Sequence, residues 1–322
     1  RSGVGRRFAL SLQQWNAQAS NLDGRLVPLE SVLDRVVAPL AALQPVLLLV
    51  VDGLSVSIFR ELFARPEALG WTEMVPAALG RPLAGIAAFP TVTEVSRATL
   101  LCGRLTTGTS ALEKSGFATH AALLTHSRAD APPKLFHKGD LSDMTNLAED
   151  VRAAIANPQQ RIVGVVYNAV DDHLSGPDQL HQRWSLEDLR LLLPLVREAR
   201  EARRAIIVTA DHGHLLEDGS TQVQSSESDR WRPGNDVRHD SEVALQGGRV
   251  RTASGDSSVV CLWSEKARYA GRKNGYHGGV SPQEVTVPLS VLLPFGVALT
   301  GWQPALPAQP EWWDLPSYIA PP

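Results

Sequence analysis

The chain has 322 residues, 43% of them hydrophobic and 20% charged, which is enough apolar material for one large core or two modest ones. Its formal net charge of −3 is spread over mixed signs, which argues against holding nucleic acid through a general basic field. The two cysteines, Cys102 and Cys261, lie far apart in apolar settings; this argues against a disulfide framework and fits a reducing, cytoplasmic compartment. No apolar run reaches the ~20 residues of a membrane span, no signal peptide is expected, and the opening Arg1-Ser2 suggests a fragment of a longer polypeptide.

Residues 1–45 are expected to be helical or irregular, with three-to-four apolar spacing over 29–37 before Pro45 stops the helix. The run 46–51 is apolar without alternation, as a parallel strand covered on both faces should be, and ends at Asp52-Gly53. Residues 55–65 read as a crossover helix, and Phe89-Pro90-Thr91-Val92-Thr93-Glu94-Val95-Ser96-Arg97 leads into a helical stretch over 94–101. From 104 to 158 the chain is richer in Ala, Thr, His and Asp and lacks long apolar runs, which predicts an inserted lid. A second buried strand, 162–167, leads to Asp171-Asp172-His173.

Ser185-Leu186-Glu187-Asp188 reads as a capping box opening a helix to about Arg203, kinked at Pro194. Its basic end, 197–204, alternates with Glu198 and Glu201 and reads as a solvated face. A third buried strand, 205–210, ends at Asp211-His212-Gly213. Residues 217–256 read as a long polar loop, 257–263 and 285–289 as further strands, and Tyr276-His277-Gly278-Gly279 lies between them. The Pro- and Trp-rich tail, 298–322, reads as a peripheral arm on a catalytic domain spanning 46–297. The helix between buried strands is the βαβ order.

Three buried strands therefore deliver metal-type ligands at their carboxyl ends: Asp52, Asp211 with His212, and two of Asp171, Asp172 and His173. Mixed carboxylate and imidazole ligands suit zinc, with manganese as the alternative. Two such ions ~3.5–4 Å apart would supply charge and alignment for phosphoryl transfer. Thr93 is the candidate nucleophile, because helix amides follow it, and Thr91 is its competitor. Arg97, one turn on, is placed either to bind a phosphate oxygen bidentately or to face solvent. His277 precedes two glycines, where backbone can approach a ligand closely. His214, His137 and Lys138 read as loop side chains with a weaker claim.

The ordered set Val50-Val51-Asp52-Gly53, 89–97, 167–174, Asp211-His212-Gly213 and Tyr276–Gly279 resembles the alkaline phosphatase superfamily, most closely its PglZ branch, over about 46–295. The resemblance implies an α/β fold, a three-layer αβα sandwich with a mostly parallel central sheet. It implies one metal held by Asp52, Thr93, Asp211 and His212, and another by Asp171, His173 and His277. One departure stands out: the family's Asp and His are usually four apart, whereas here they occupy 171 and 173. The implied activity is hydrolysis of a phosphate ester, nucleic acid or a nucleotide among the substrates, through a phosphothreonine on Thr93. The implied setting is an intracellular phage-defence assembly of the BREX type, with other defence proteins as partners. A manganese-dependent phosphomutase and a non-hydrolytic zinc-bound scaffold are the rival readings.

Overall fold

The computed structural model describes residues 2–18, 24–143, 146–168, 184, 186, 189–223, 226 and 228–306. Its centre is a nine-stranded mixed sheet. In chain order the strands are β1 (Leu26–Pro28), β2 (Val46–Val51), β3 (Trp71–Pro76), β4 (Leu83–Ile86), β5 (Lys134–Phe136), β6 (Ile162–Tyr167), β7 (Ala205–Thr209), β8 (Thr286–Pro294) and β9 (Trp302–Pro304). They lie in the order β1-β4-β8-β7-β2-β6-β5, while β3 pairs with the second half of β8 and carries β9 beyond it.

Every residue of β2, β6 and β7 is buried. An apolar strand with no alternation has both faces covered, and each fully buried Val, Leu or Ile contributes ~1.5–3 kcal/mol over leaving it exposed. These strands and β5 are mutually parallel, with Val46 opposite both Ile162 and Ala205. β8 is antiparallel to β7, β4 and β3. Since β1 is parallel to β4 and β9 antiparallel to β3, only β8 and β9 oppose the common direction. The expected mostly parallel sheet is thus a mixed one: four parallel strands at one side, and an antiparallel β8 that splits the rest. Periodicity could not show this, because all but the first residue of β8 are as buried as those of a parallel strand.

The stretch 104–158, expected as a lid, is largely scaffold. It supplies β5 to the sheet edge and sends Phe117, Leu135, Val151 and Ile155 into the same core as β2. Leu29, Val32, Leu33, Val36 and Leu40 belong to that core as well. Helix α1 (Ser2–Gln18) packs elsewhere: Ala9 and Leu12 meet Val243, Leu245 and Val259 of a small antiparallel sheet formed by 231–233, 242–246 and 258–262.

Two readings of the helix before β7 are corrected. Its described span is Leu192–Glu201, so Pro194 stands in the first turn, where a missing N–H costs nothing, rather than at a kink. Residues 185, 187 and 188 lie outside the described residues. Arg204, expected on a solvated face, is fully buried and donates to the carbonyls of Val46, Ala154, Ile155, Asn157, Gln160 and Arg161. Those carbonyls lie at the end of one helix, in the turn after it and at the start of β2, and the buried guanidinium gathers them with its fixed set of donors. Both cysteines are buried thiols. Among the described residues no helix is long and apolar enough to cross a membrane, and 307–322, including Trp312 and Trp313, lie outside them.

Candidate active site

Parallel strands bring their carboxyl ends to one edge, the place where open α/β sheets build sites. The Asp52 amide donates to the Tyr167 carbonyl at 2.9 Å, extending the β2–β6 ladder by one residue. Gly53 then turns the chain at φ 73, in the left-handed region that favours glycine. Its amide donates to Asp211 Oδ1 at 3.2 Å, and the His212 amide does so at 3.0 Å. A side chain on Gly213 would lie 1.9 Å from the Gln283 carbonyl oxygen, so only glycine lets the chain leave β7 here.

Asp52, Asp211 and His212 are all buried, and one ligand atom from each lies within 4.8 Å of the others. His212 Nδ1 is 3.0 Å from the Gly213 carbonyl oxygen; a carbonyl only accepts, so Nδ1 carries a proton, and in the neutral ring Nε2 presents its lone pair. That Nε2 lies 3.5 Å from Asp211 Oδ2 and 3.7 Å from Asp52 Oδ1. Asp211 Oδ2 is buried with no hydrogen-bond partner among the described residues. An orphaned carboxylate oxygen, a second carboxylate and an imidazole lone pair are costly together without a cation, and they fit a divalent one.

Thr93 opens helix α2 (Thr93–Cys102) directly over this cluster. Its Oγ1 is 3.4 Å from Asp52 Oδ1 and 3.2 Å from His212 Nε2. Thr91 points elsewhere: its hydroxyl donates to the Gly279 carbonyl at 2.7 Å and accepts from the Gly278 amide at 3.1 Å. That pair of bonds docks the His277 loop against the strand end. The His277 ring stacks on His212, centroids 4.3 Å apart and 14° from parallel, with Nδ1 3.3 Å from the Thr91 carbonyl oxygen. His277 therefore lies beside the three-residue cluster rather than within it. Asp171, Asp172 and His173 lie outside the described residues.

Arg97 does not face solvent; its side chain is 12% exposed. Nη1 donates to Asp52 Oδ2 at 2.6 Å, and Nε donates to both oxygens of Glu113. Asn168 Nδ2 joins Arg97 on Asp52 Oδ2 at 2.8 Å. Two donors on Oδ2 turn Oδ1 toward Thr93 and His212. Neither His137 nor His214 is a loop side chain at the surface: His137 Nε2 is 2.6 Å from Glu113 Oε2, and buried His214 holds the Gly53 carbonyl through Nδ1 at 2.6 Å. Lys138 is exposed. Sequence reading missed Glu113 and Asn168. A signal for Asn168 existed, because Val51 pairs with Tyr167 and the next residue on each strand must emerge side by side. Glu113 gave none.

Burial, and then repulsion from Asp211, push the Asp52 carboxyl up from 3.8 to about 6, against the pull of His212 and Arg97. Burial alone would lower the Arg97 guanidinium, but Asp52, Asp211 and Glu113 outweigh it and hold it above its ordinary value. A carboxyl raised in the folded state costs nothing below its unfolded value, and its penalty grows as pH rises through about 6. In chelator, Asp52→Asn should therefore gain on the wild type between pH 4 and pH 7.5, by about 3 kcal/mol in denaturant melts for a shift of this size. A difference that stays flat across that range would show that Asp52 carries no such penalty.

The mixed sheet, with carboxylates and a histidine gathered at its carboxyl edge, is that of an alkaline phosphatase-like domain. The family described as the BREX system PglZ alkaline phosphatase-like domain matches residues 32–292, and the chain belongs to it. Comparison with curated proteins gives no match.

Proposed function

We propose that the chain hydrolyses phosphate esters, phosphodiesters foremost, in a metal-dependent reaction with Thr93 as nucleophile, and that it does so within a bacterial phage-defence assembly. The observation that carries this reading is the Thr93 hydroxyl, 3.4 Å and 3.2 Å from a buried carboxylate and imidazole that have no apolar reason to be together. One divalent ion, zinc or else manganese, would be held by Asp52, Thr93, Asp211 and His212, and a second by Asp171, His173 and His277. Bound there, such ions would lower the pKa of the attacking hydroxyl and offset the charge of the phosphoryl group.

The residues of the chain divide the remaining work. Thr93 Oγ1 forms the bond to phosphorus while the bond to the leaving alkoxide breaks and the alkoxide takes a proton from water. A monoester leaves a phosphothreonine and a diester leaves that phosphate with its second ester group in place, and water then cleaves the bond between Thr93 and phosphorus. The Thr93 proton has two acceptors in reach, Asp52 Oδ1 and His212 Nε2. Arg97 and Asn168 orient Asp52 through its other oxygen, and the amides opening α2 face the incoming phosphate. A three-layer arrangement of helices about the sheet belongs to the same reading, supported by the burial of β2, β6 and β7 on both faces.

The test is turnover of a chromogenic phosphodiester and a phosphomonoester by the purified chain, stripped with chelator and then given zinc or manganese. Turnover that depends on the added ion is the expected result. No turnover of either ester with any ion would overturn the hydrolytic reading and favour a scaffold.

A further inference from the structure

Glu113 lies on helix α3 (Ser110–Thr119) and is fully buried, a rare state for a carboxylate without partners. It has two. Arg97 Nε donates to its oxygens at 3.1 Å and 3.2 Å, and His137 Nε2 lies 2.6 Å from Oε2. The three side chains come from three places: α2, α3 and the residue after β5. Burying such a cluster is poor economy for stability alone, since apolar side chains of similar volume commonly do as well or better. The geometry of Arg97 gives it another use. A guanidinium is planar with donors in a fixed fork, so bonds at Nε to Glu113 and at Nη1 to Asp52 fix its plane. Nη2, between those two anchored edges, makes no hydrogen bond to any described residue.

We propose that Glu113 is a positioning residue of this site: braced by His137, it holds the Arg97 guanidinium so that Nη1 orients Asp52 and Nη2 is presented to a phosphate oxygen. With Nε on Glu113 and Nη1 on Asp52, Nη2 is the guanidinium nitrogen left for phosphate, which narrows how the phosphate contact expected of Arg97 can be made. The positioning role also explains why the segment 104–158 joins the core, since that segment carries both Glu113 and His137 toward the site edge. The inference rests on the reading of Thr93 as lying in a phosphoester site, but it makes its own claim about how phosphate is held.

A double-mutant cycle with inorganic phosphate as probe tests it. Phosphate binding by the zinc-loaded chain is measured by calorimetry for the wild type, Glu113→Gln, Arg97→Ala and the double variant, alongside kcat/KM for the chromogenic diester. Residues that orient a binding group typically contribute 10–100-fold, so Glu113→Gln should weaken phosphate binding by about that factor in the wild-type background. In the Arg97→Ala background it should change binding less than about 2-fold, because its effect passes through Arg97. The same cycle with His137→Asn should show a smaller loss that also vanishes without Arg97, and it serves if Glu113→Gln does not fold. Equal losses in both backgrounds would mean that Glu113 acts through the fold, and wild-type-like binding by Glu113→Gln or no binding by the wild type would also overturn the proposal. Coupled loss of phosphate binding with no turnover of any ester would uphold the positioning role while removing the hydrolytic one.

Discussion

Thr93→Ala is expected to abolish ester hydrolysis, a fall in kcat of at least about 10³-fold, because removing an attacking oxygen removes the covalent step that binding elsewhere cannot replace. The fold should survive. Thr93 is half-buried at the first position of α2, and its hydroxyl makes no hydrogen bond to a backbone group, so the melting temperature should move by only a few degrees. Thr91→Ala should behave in the opposite way. Its hydroxyl bridges Gly278 and Gly279 from a fully buried position, so its loss leaves a buried amide and carbonyl short of a partner, at about 1–3 kcal/mol. Measurable activity with lowered stability is the expected outcome there. Steady-state rates and melting curves for the two variants check both halves, and a Thr93→Ala protein as active as the wild type would place the nucleophile elsewhere.

The second large effect concerns metal content. Asp211→Asn keeps an oxygen to accept the Gly53 and His212 amides, and its new NH2 would occupy the position of the orphaned Oδ2. The metal-free variant should therefore fold at least as well as the wild type, since the repulsion that raises Asp52 is gone. It should nonetheless lose about one metal equivalent per chain, because the charge that binds the cation is gone with it. For the other proposed ion, the sequence predicts an extended run over 171–173, and neighbours on such a run point to opposite faces. Asp171→Ala and His173→Ala should then each lose about one equivalent and Asp172→Ala should keep both, with at most the ~10–100-fold loss typical of residues that only orient a ligand. Metal analysis of chelator-free preparations decides each case. An Asp172→Ala protein that loses an ion while Asp171→Ala keeps it would reverse the assignment.

What the sequence made legible follows a physical pattern. β2, β6 and β7 are uninterrupted apolar runs, so burial on both faces, and with it the parallel half of the sheet, could be read directly. Asp52, Asp211 and His212 were legible for the same reason: each follows such a run within three residues and must emerge at its carboxyl edge. β8 was visible as a strand, but its direction depends on partners in three other strands, about which local periodicity says nothing. β5 has only three residues, too few to set a pattern, and so the segment around it read as a lid. The charged residues misread, Arg204, His137 and His214, look like surface residues in sequence because nothing nearby in the chain pairs with them. Their partners are 24–161 residues away, those of Arg204 and His214 being backbone carbonyls, and only the closed fold makes those acceptors available. Glu113 is the extreme case: it owes its role to Arg97 and His137, 16 and 24 residues off on other elements.

The most direct measurement is of Thr93 itself during turnover. The zinc-loaded chain is mixed with a chromogenic phosphodiester, quenched in acid within the first turnover and digested, and the peptide containing Thr91 and Thr93 is examined by fragment mass spectrometry. A phosphoryl adduct of the ester on Thr93 that disappears at long times, and that is absent from Thr93→Ala, is the predicted result. Release of product with the Thr93 peptide unmodified at every quench time, or an adduct on Thr91, would contradict the account.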